Sequence, residues 1–300
     1  MNEKIRRDCP SCGEEDASPF LQKKDLTLVQ CTNCALIYAN PVPTEMAGEY
    51  YNKLGTPYYL SQEKLESDYA SVRFERELTL FTKHCPHGTI LDVGCSTGAF
   101  LYQLKMHGNY HAVGTDISKP ALDYARSRGL EIISGSFLDY DFGELRFDAI
   151  TFWAVIEHLL EPQRLLRRAV GLLKPDAHCF ILVPNMKSLA VRLLGAKYRY
   201  IFPQHVNYFT TKTLKRFSQV EHVELVATGS MHFNPIVILQ DLRRKGDFVP
   251  DEERAALLKR TTAYKRNPLL KPVKFLYRMA EKCLAGLNLA DNLFVVLRRK

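Results

Sequence analysis

An α/β fold is predicted: a doubly wound, mostly parallel sheet preceded by a small cysteine-based module. Three observations in the 300-residue sequence carry that prediction. From residue 89 onward, short apolar runs alternate with helix-patterned segments, an order that gives parallel strands with helices on both faces. A glycine-rich turn joins the first of these runs to its helix, and two Cys-x-x-Cys pairs stand ahead of it. Composition agrees, since 46% hydrophobic and 25% charged residues exclude a disordered, collagenous or coiled-coil chain. No apolar run approaches the roughly 18 residues of a membrane-spanning helix. The opening residues lack the apolar segment of a secretory signal, so a cytoplasmic chain with reduced thiols is expected.

Residues 1–42 form the first module. Cys9-Pro-Ser-Cys12 and Cys31-Thr-Asn-Cys34 are separated by 18 residues. Each Cys-x-x-Cys turn sets two thiolates on one side of a metal, and Gly13 permits the sharp turn behind Cys12. Two such turns supply the four soft ligands of a closed tetrahedron, so a structural zinc ribbon is expected on Cys9, Cys12, Cys31 and Cys34. The plainer alternative is four reduced thiols. Leu26–Gln30 reads as a strand feeding the second turn. Cys85, Cys95, Cys179 and Cys283 are scattered and are expected to be small core residues.

Residues 43–88 bridge to the next unit. They carry Tyr50, Tyr51, Tyr58, Tyr59 and Tyr69, with helical spacing from Glu63 to Lys83. The tyrosines either pack a linker onto the following domain or close over a ligand as a lid.

Residues 89–240 hold the core. Thr89–Gly94 reads as a strand entering Gly94-Cys-Ser-Thr-Gly98, with a helix from Ala99 to Lys105. Such a turn lets the backbone approach a ligand and aims helix N–H groups at it. A second strand ends at Asp116, where a ribose-binding carboxylate is expected. Further strands read at Leu130–Ser134, Phe147–Trp153 and Cys179–Val183, with a helix at Leu165–Leu173. The turn is Asp92-x-Gly94-x-x-x-Gly98. An acid at that position repels a pyrophosphate and can hold an ammonium group, which favours an amino-acid-bearing nucleoside over a dinucleotide.

Residues 89–183 resemble class I S-adenosylmethionine (SAM) methyltransferases, which are Rossmann-like, and among them the ubiquinone/menaquinone-methyltransferase-like branch. The matching segments are ILDVGCSTGAF (90–100), VGTDIS (113–118), FDAITFWAVIEHLLEP (147–162) and FILVPN (180–185). The cysteine module and FPQHVNYFTTKTL (202–214) resemble a zinc-ribbon subgroup, some of whose members modify sugars on carrier nucleotides. The resemblance implies that Asp92, Gly94, Cys95 and Gly98 shape the turn around the methionine part of SAM. It implies that Asp116 accepts the ribose hydroxyls, with Ile117 against the adenine and Phe137 and Leu138 at its edge. Trp153 would line the methionine arm. Ser96 stands where many relatives have glycine, and Ser136 where an acid often meets the adenine amino group, with Asp139 as a substitute.

Methyl transfer from a sulfonium is an in-line displacement, and a hydroxyl acceptor needs its proton removed. The resemblance implies that the His-x-x-Tyr segment contributes a base. His205 is therefore expected as base, with Tyr208 and His158 near the acceptor, and Glu157-His158 could instead orient a divalent cation.

Residues 241–300 form a basic extension, with strands expected at Glu221–Ala227 before it and Asn292–Leu297 at its end. They hold 15 basic and 7 acidic side chains, whereas residues 1–240 hold 26 of each. The whole net charge of +8 thus sits in the tail. Helical segments at Ala255–Tyr264 and Leu269–Leu287 interleave lysines and arginines with apolar residues. Such a stretch either buries its apolar face in the core or lies on anionic lipid, making the chain membrane-peripheral.

The expected function is SAM-dependent methyl transfer to a small or lipid-linked biosynthetic intermediate with a sugar- or quinone-like hydroxyl. RNA methylation is an alternative with the ribbon gripping RNA, but the neutral residues 1–240 and a ribbon loop with only Lys23 and Lys24 argue against nucleic acid. The other alternative is a non-catalytic SAM-binding scaffold.

Overall fold

The computed structural model describes residues 4–43, 56–244 and 246–300. Tyr50 and Tyr51 of the aromatic bridge lie outside the described residues. The N-terminal strands are β1 (Lys4–Ile5), β2 (Ala17–Lys23), β3 (Leu26–Cys31), β4 (Ile37–Ala39) and β5 (Val42–Pro43). β1 pairs with β5, while β2, β3 and β4 form an antiparallel sheet. That sheet gains a fourth strand from far along the chain, β11 (Asn207–Tyr208), which pairs with β4. Arg7 ties the two regions together, donating to Ala39 O, Leu160 O, Val206 O and Asn207 Oδ1.

The bridge contains α1 (Thr56–Tyr59), α2 (Gln62–Asp68) and α3 (Glu75–His84). The helical pattern expected from Glu63 to Lys83 is therefore two helices. The break at 69–74 lets the Tyr69 hydroxyl donate to Thr97 O and its ring meet Tyr102 and Tyr124. A continuous helix would carry that ring past the glycine turn.

The central sheet alternates with helices in the expected way: β6 (Gly88–Val93), α4 (Ala99–His107), β7 (Tyr110–Asp116), α5 (Lys119–Ser127), β8 (Glu131–Ser134), β9 (Phe147–Trp153), α6 (Pro162–Leu172) and β10 (Leu173–Pro184). Beyond them lie α7 (Leu189–Leu194), α8 (Thr211–Phe217), β12 (Val223–Met231), α9 (Pro235–Arg243), α10 (Asp251–Arg266), α11 (Lys271–Gly286) and β13 (Asn292–Arg299). The strand order is β12-β13-β10-β9-β6-β7-β8. Pairing is parallel from β10 to β8, and β13 runs antiparallel between β10 and β12. Central strands β6, β9 and β10 are covered on both faces and so read as nearly continuous apolar runs. α6 buries Leu165, Leu166, Ala169 and Val170 at helical spacing against them.

The last strand was legible in the sequence but not its place. A C-terminal strand inserted inside the sheet depends on pairings such as Phe180 with Val296, which no local pattern encodes. Of the four scattered cysteines, Cys85, Cys95 and Cys179 are buried, but Cys283 is exposed on α11. Among the described residues no helix is long and apolar enough to cross a membrane.

Candidate active site

A cavity of about 1030 Å³ lies along the ends of β6, β7 and β9. Its first wall is the turn after β6. Gly94 (φ +76°) and Gly98 (φ +78°) are left-handed. A Cβ on Gly94 would lie 2.6 Å from Val155 Cγ2, and one on Gly98 2.4 Å from Leu130 Cδ1, so conformation and space both demand glycine. Ser96 adopts the left-handed region itself (φ +49°) and keeps the turn. Its backbone N–H donates to Asp116 Oδ2 at 2.9 Å, and the Ser118 N–H donates to Asp116 Oδ1 at 2.8 Å. Asp116 therefore clips the turn to the end of β7, and each of its oxygens retains capacity for a further donor. Burial raises its carboxyl pKa against those bonds.

Asp92 is buried at the end of β6 and accepts a 2.6 Å bond from the Thr151 hydroxyl. Burial pushes its carboxyl up to about 7 despite that bond, with the Asp116 charge adding. A carboxylate so placed is completed by a positive group. Cys95 is buried beside it, and Ile117 is half exposed on the cavity. Phe137 is anchored by Phe142 and Phe152, with Leu138 beside it on the wall. Trp153 packs edge-on against Phe100 at 5.2 Å, and its buried indole N–H has no partner among the described residues. Of the nine residues expected around a nucleoside cofactor, all but Gly98 line this cavity; Gly98 closes the turn behind it as the cap of α4. Ser136 also lines it, its Oγ accepting from the Leu138 N–H, whereas Asp139 is exposed and outside the lining. These features fit SAM: a close backbone approach, a buried acid for an ammonium, a second acid, an apolar slot and an unsatisfied donor.

The second wall carries the histidines. Val206 N–H donates to Glu157 O at 2.8 Å, and Asn207 Nδ2 donates to Ile156 O and Leu159 O. These bonds zip the 202–208 segment to the turn after β9, bringing the His158 and His205 rings to 4.6 Å. His158 Nδ1 bonds Gln204 O at 2.8 Å. Burial pulls His158 down to about 4 and holds His205 well below the ordinary histidine value, so both rings are neutral at pH 7. Tyr208 lies behind His205 at 6.3 Å, its hydroxyl donating to Phe202 O, and does not line the cavity. Glu157 is fully buried on the same wall, and burial pushes its carboxyl up to about 8.

Tyr58, one of the bridge tyrosines expected either to pack on the next domain or to close over a ligand, lines the cavity, and so does Arg254, which had no signal in the sequence. Tyr58 and Arg254 come from α1 and α10, and the guanidinium lies 4.8 Å over the Tyr58 ring and 5.1 Å over that of Phe202. Their meeting depends on how the C-terminal helices fold back.

The cysteine cluster lies apart from the cavity. Cys9 and Cys34 Sγ atoms are 3.4 Å apart, Cys12 and Cys31 3.6 Å, and all four lie within 4.8 Å of one another. A zinc–thiolate tetrahedron with bonds of about 2.3 Å has edges of about 3.8 Å. The donor set and spacing fit zinc, and the Cys34 N–H to Cys31 Sγ bond orients one ligand. Lys23, half of the ribbon loop's basic pair, is buried and donates to Ile201 O at 2.7 Å.

A methyltransferase-domain family profile matches residues 63–219, a little over half of the chain. This chain belongs to that methyltransferase family. It is 26% identical over 183 residues to a ubiquinone biosynthesis O-methyltransferase of Coxiella burnetii, covering 57% of this chain and 76% of that protein. Over 109 residues it is 34% identical to a Bos taurus protein named "Probable tRNA methyltransferase 9B", covering 36% of this chain and 23% of that one. A SAM-dependent methyltransferase from Thermotoga maritima shares the fold at TM-score 0.55 and 14% identity, covering 83% of this chain and 100% of that one. The protein is a SAM-dependent methyltransferase with a class I core. The family match ends before β12, so the methyltransferase carries β12 to β13 as a segment outside it.

Proposed function

We propose that this methyltransferase modifies a hydroxyl group of a small or lipid-linked, sugar- or quinone-like biosynthetic intermediate, with His205 taking the proton. The observation that carries the reading is the pair of neutral, buried histidines on the same cavity as the Asp92–Gly98 turn. SAM supplies an electrophilic methyl group on a sulfonium. Asp92 would hold its ammonium, Asp116 its ribose hydroxyls and Ile117, Phe137 and Leu138 its adenine, while Trp153 would close the methionine arm. A histidine kept neutral by burial is already in its base form at pH 7. The relative named for O-methylation in ubiquinone biosynthesis supports an oxygen acceptor. An RNA acceptor gains less support, because Lys23 is sequestered in the fold.

The proposed division of labour follows the chain. Residues 1–42 would be a zinc ribbon on Cys9, Cys12, Cys31 and Cys34. Residues 43–88 would form a linker and lid, residues 89–240 the SAM-binding core, and residues 241–300 a membrane-contacting extension. α11 supports that last role. Glu281 is its one buried residue, whereas Val273, Phe275, Leu276 and Met279 are exposed among Lys271, Arg278 and Lys282. Leu269 just before it is 86% exposed. Apolar side chains in water beside lysines suit the surface of an anionic bilayer. Sedimentation with anionic liposomes should recover the parent chain far better than a variant carrying Phe275→Glu and Leu276→Glu, both exposed in the fold; equal recovery rejects this contact.

The acceptor reading is tested by profiling metabolites labelled from methyl-labelled SAM. A labelled methyl ether of a hydroxyl-bearing intermediate is expected, formed about 100-fold or more slowly by His205→Ala. An unchanged rate in the variant removes His205 as base.

A further inference from the structure

A second cavity, of about 460 Å³, lies where the cysteine module meets the C-terminal extension, and no residue lines both it and the acceptor cavity. Three separate segments build it. The turn from β2 to β3 brings Lys23 and Lys24, the turn Gly195–Lys197 after α7 brings Lys197, and the chain leaving α9 brings Arg244 and Asp247. Four cations on this wall face one acid.

The cations are not balanced within the fold. Lys23 is only 6% exposed, and its ammonium donates to Ile201 O at 2.7 Å and Tyr198 O at 3.4 Å and lies 4.9 Å from the centre of the Phe248 ring. Burial and then the neighbouring Arg244 charge pull that ammonium down to about 8, so it still carries its proton at pH 7. Arg244 donates Nη2 to Lys197 O, while its Nε and Nη1 are shielded from solvent and have no partner among the described residues. Asp247 lies 3.9 Å from Lys24. The nearby Asp241 is committed to Arg199, with Nη2 to Oδ1 at 2.8 Å and Nε to Oδ2 at 3.2 Å. Carbonyl oxygens and a ring face soften a buried positive charge without neutralising it. Two partly desolvated cations side by side repel, and an anion between them and the two flexible lysines removes that cost. A phosphate dianion offsets the surplus further than a monoanionic carboxylate does, and arginine and lysine are its ordinary donors. Lys23 is too enclosed to meet a nucleic-acid backbone passing over the surface, whereas a terminal phosphate can enter the recess.

We propose that this cavity binds the terminal phosphate of a small phosphorylated molecule, held by Lys23, Lys24, Lys197 and Arg244. The site is distinct from the one for SAM and acceptor. Lys23 also holds the carbonyls of Tyr198 and Ile201, which lead into Phe202 and His205. The bound phosphate would therefore brace the acceptor wall from outside its cavity.

The test titrates the full, zinc-loaded chain by calorimetry at pH 7 and fixed ionic strength, with inorganic phosphate and with glycerol 3-phosphate. One saturable site per chain is expected for each. Lys197→Gln, at an exposed side chain, and Arg244→Gln should each weaken binding at least about tenfold. Asp247→Asn removes the one opposing charge and should tighten binding about threefold. Binding of S-adenosylhomocysteine (SAH) within about twofold of the parent shows that the variants are folded. A short RNA without a terminal phosphate should not compete; competition assigns the surface to nucleic acid and overturns the proposal. Phosphate bound while glycerol 3-phosphate is refused makes this a site for the free ion and overturns the ester. Absence of saturable binding, or a Lys197→Gln variant that binds as well as the parent, also overturns it.

Discussion

The two walls of the cavity reach their geometry by different routes. The donor wall runs through residues 92–116 and is set by local rules: a strand end, two left-handed glycines and an aspartate that clips the turn through backbone N–H groups. The acceptor wall draws Tyr58, His158, His205 and Arg254 from four separate elements, joined by bonds such as those of Asn207 to the carbonyls of Ile156 and Leu159. The difference teaches where specificity resides. A wall fixed by short-range geometry can serve one cofactor across a family. A wall assembled at long range can change acceptor when a single distant segment changes.

The sharpest way to break this contrast is Gly94→Val. The new side chain meets Val155 in a left-handed turn, so SAH affinity should fall at least about 100-fold, or roughly 3 kcal/mol. Calorimetry checks this, and retained affinity would mean that the donor wall is elsewhere. Asn207→Ala is the counterpart on the acceptor wall. It removes two bonds to buried carbonyls, so urea unfolding should show a loss of about 2–4 kcal/mol. Methyl transfer should slow while SAH affinity stays within about twofold, provided that binding is measured where the variant is folded. An equal loss of both would mean the walls are not independent.

Asp92→Asn separates binding from stability. The folded carboxyl is raised from 3.8 to about 7 by burial, so the folded state holds its proton more tightly than the unfolded chain. The resulting cost is absent below about pH 4, grows as pH rises toward 7 and is complete above it. Three units correspond to about 4 kcal/mol at most. The cofactor-free variant should therefore melt several degrees higher at pH 8 and match the parent near pH 4, while binding SAH about tenfold more weakly. A variant that melts lower at pH 8 would show that the aspartate stabilises the fold.

Legibility in the sequence follows the same division. The turn at Asp92–Gly98, Asp116, the cysteine pairs and the alternation of strands with helices depend on neighbours in sequence, and spacing reveals them. The burial of Lys23, the withdrawal of Tyr208 from the cavity, the exposure of Cys283 and the insertion of β13 between β10 and β12 depend on partners far along the chain. The apolar face of α11 stands between these cases. Its amphipathic pattern was plain, but only the fold shows that the face is turned away from the core.

Trp153 is the sole tryptophan of the chain and lines the cavity beside the glycine turn, so its fluorescence reports the central claim directly. Titration of the zinc-loaded protein with SAH should change that emission in a saturable way, at one equivalent per chain. An emission spectrum indifferent to SAH, yet altered by a dinucleotide such as NAD, would contradict the account.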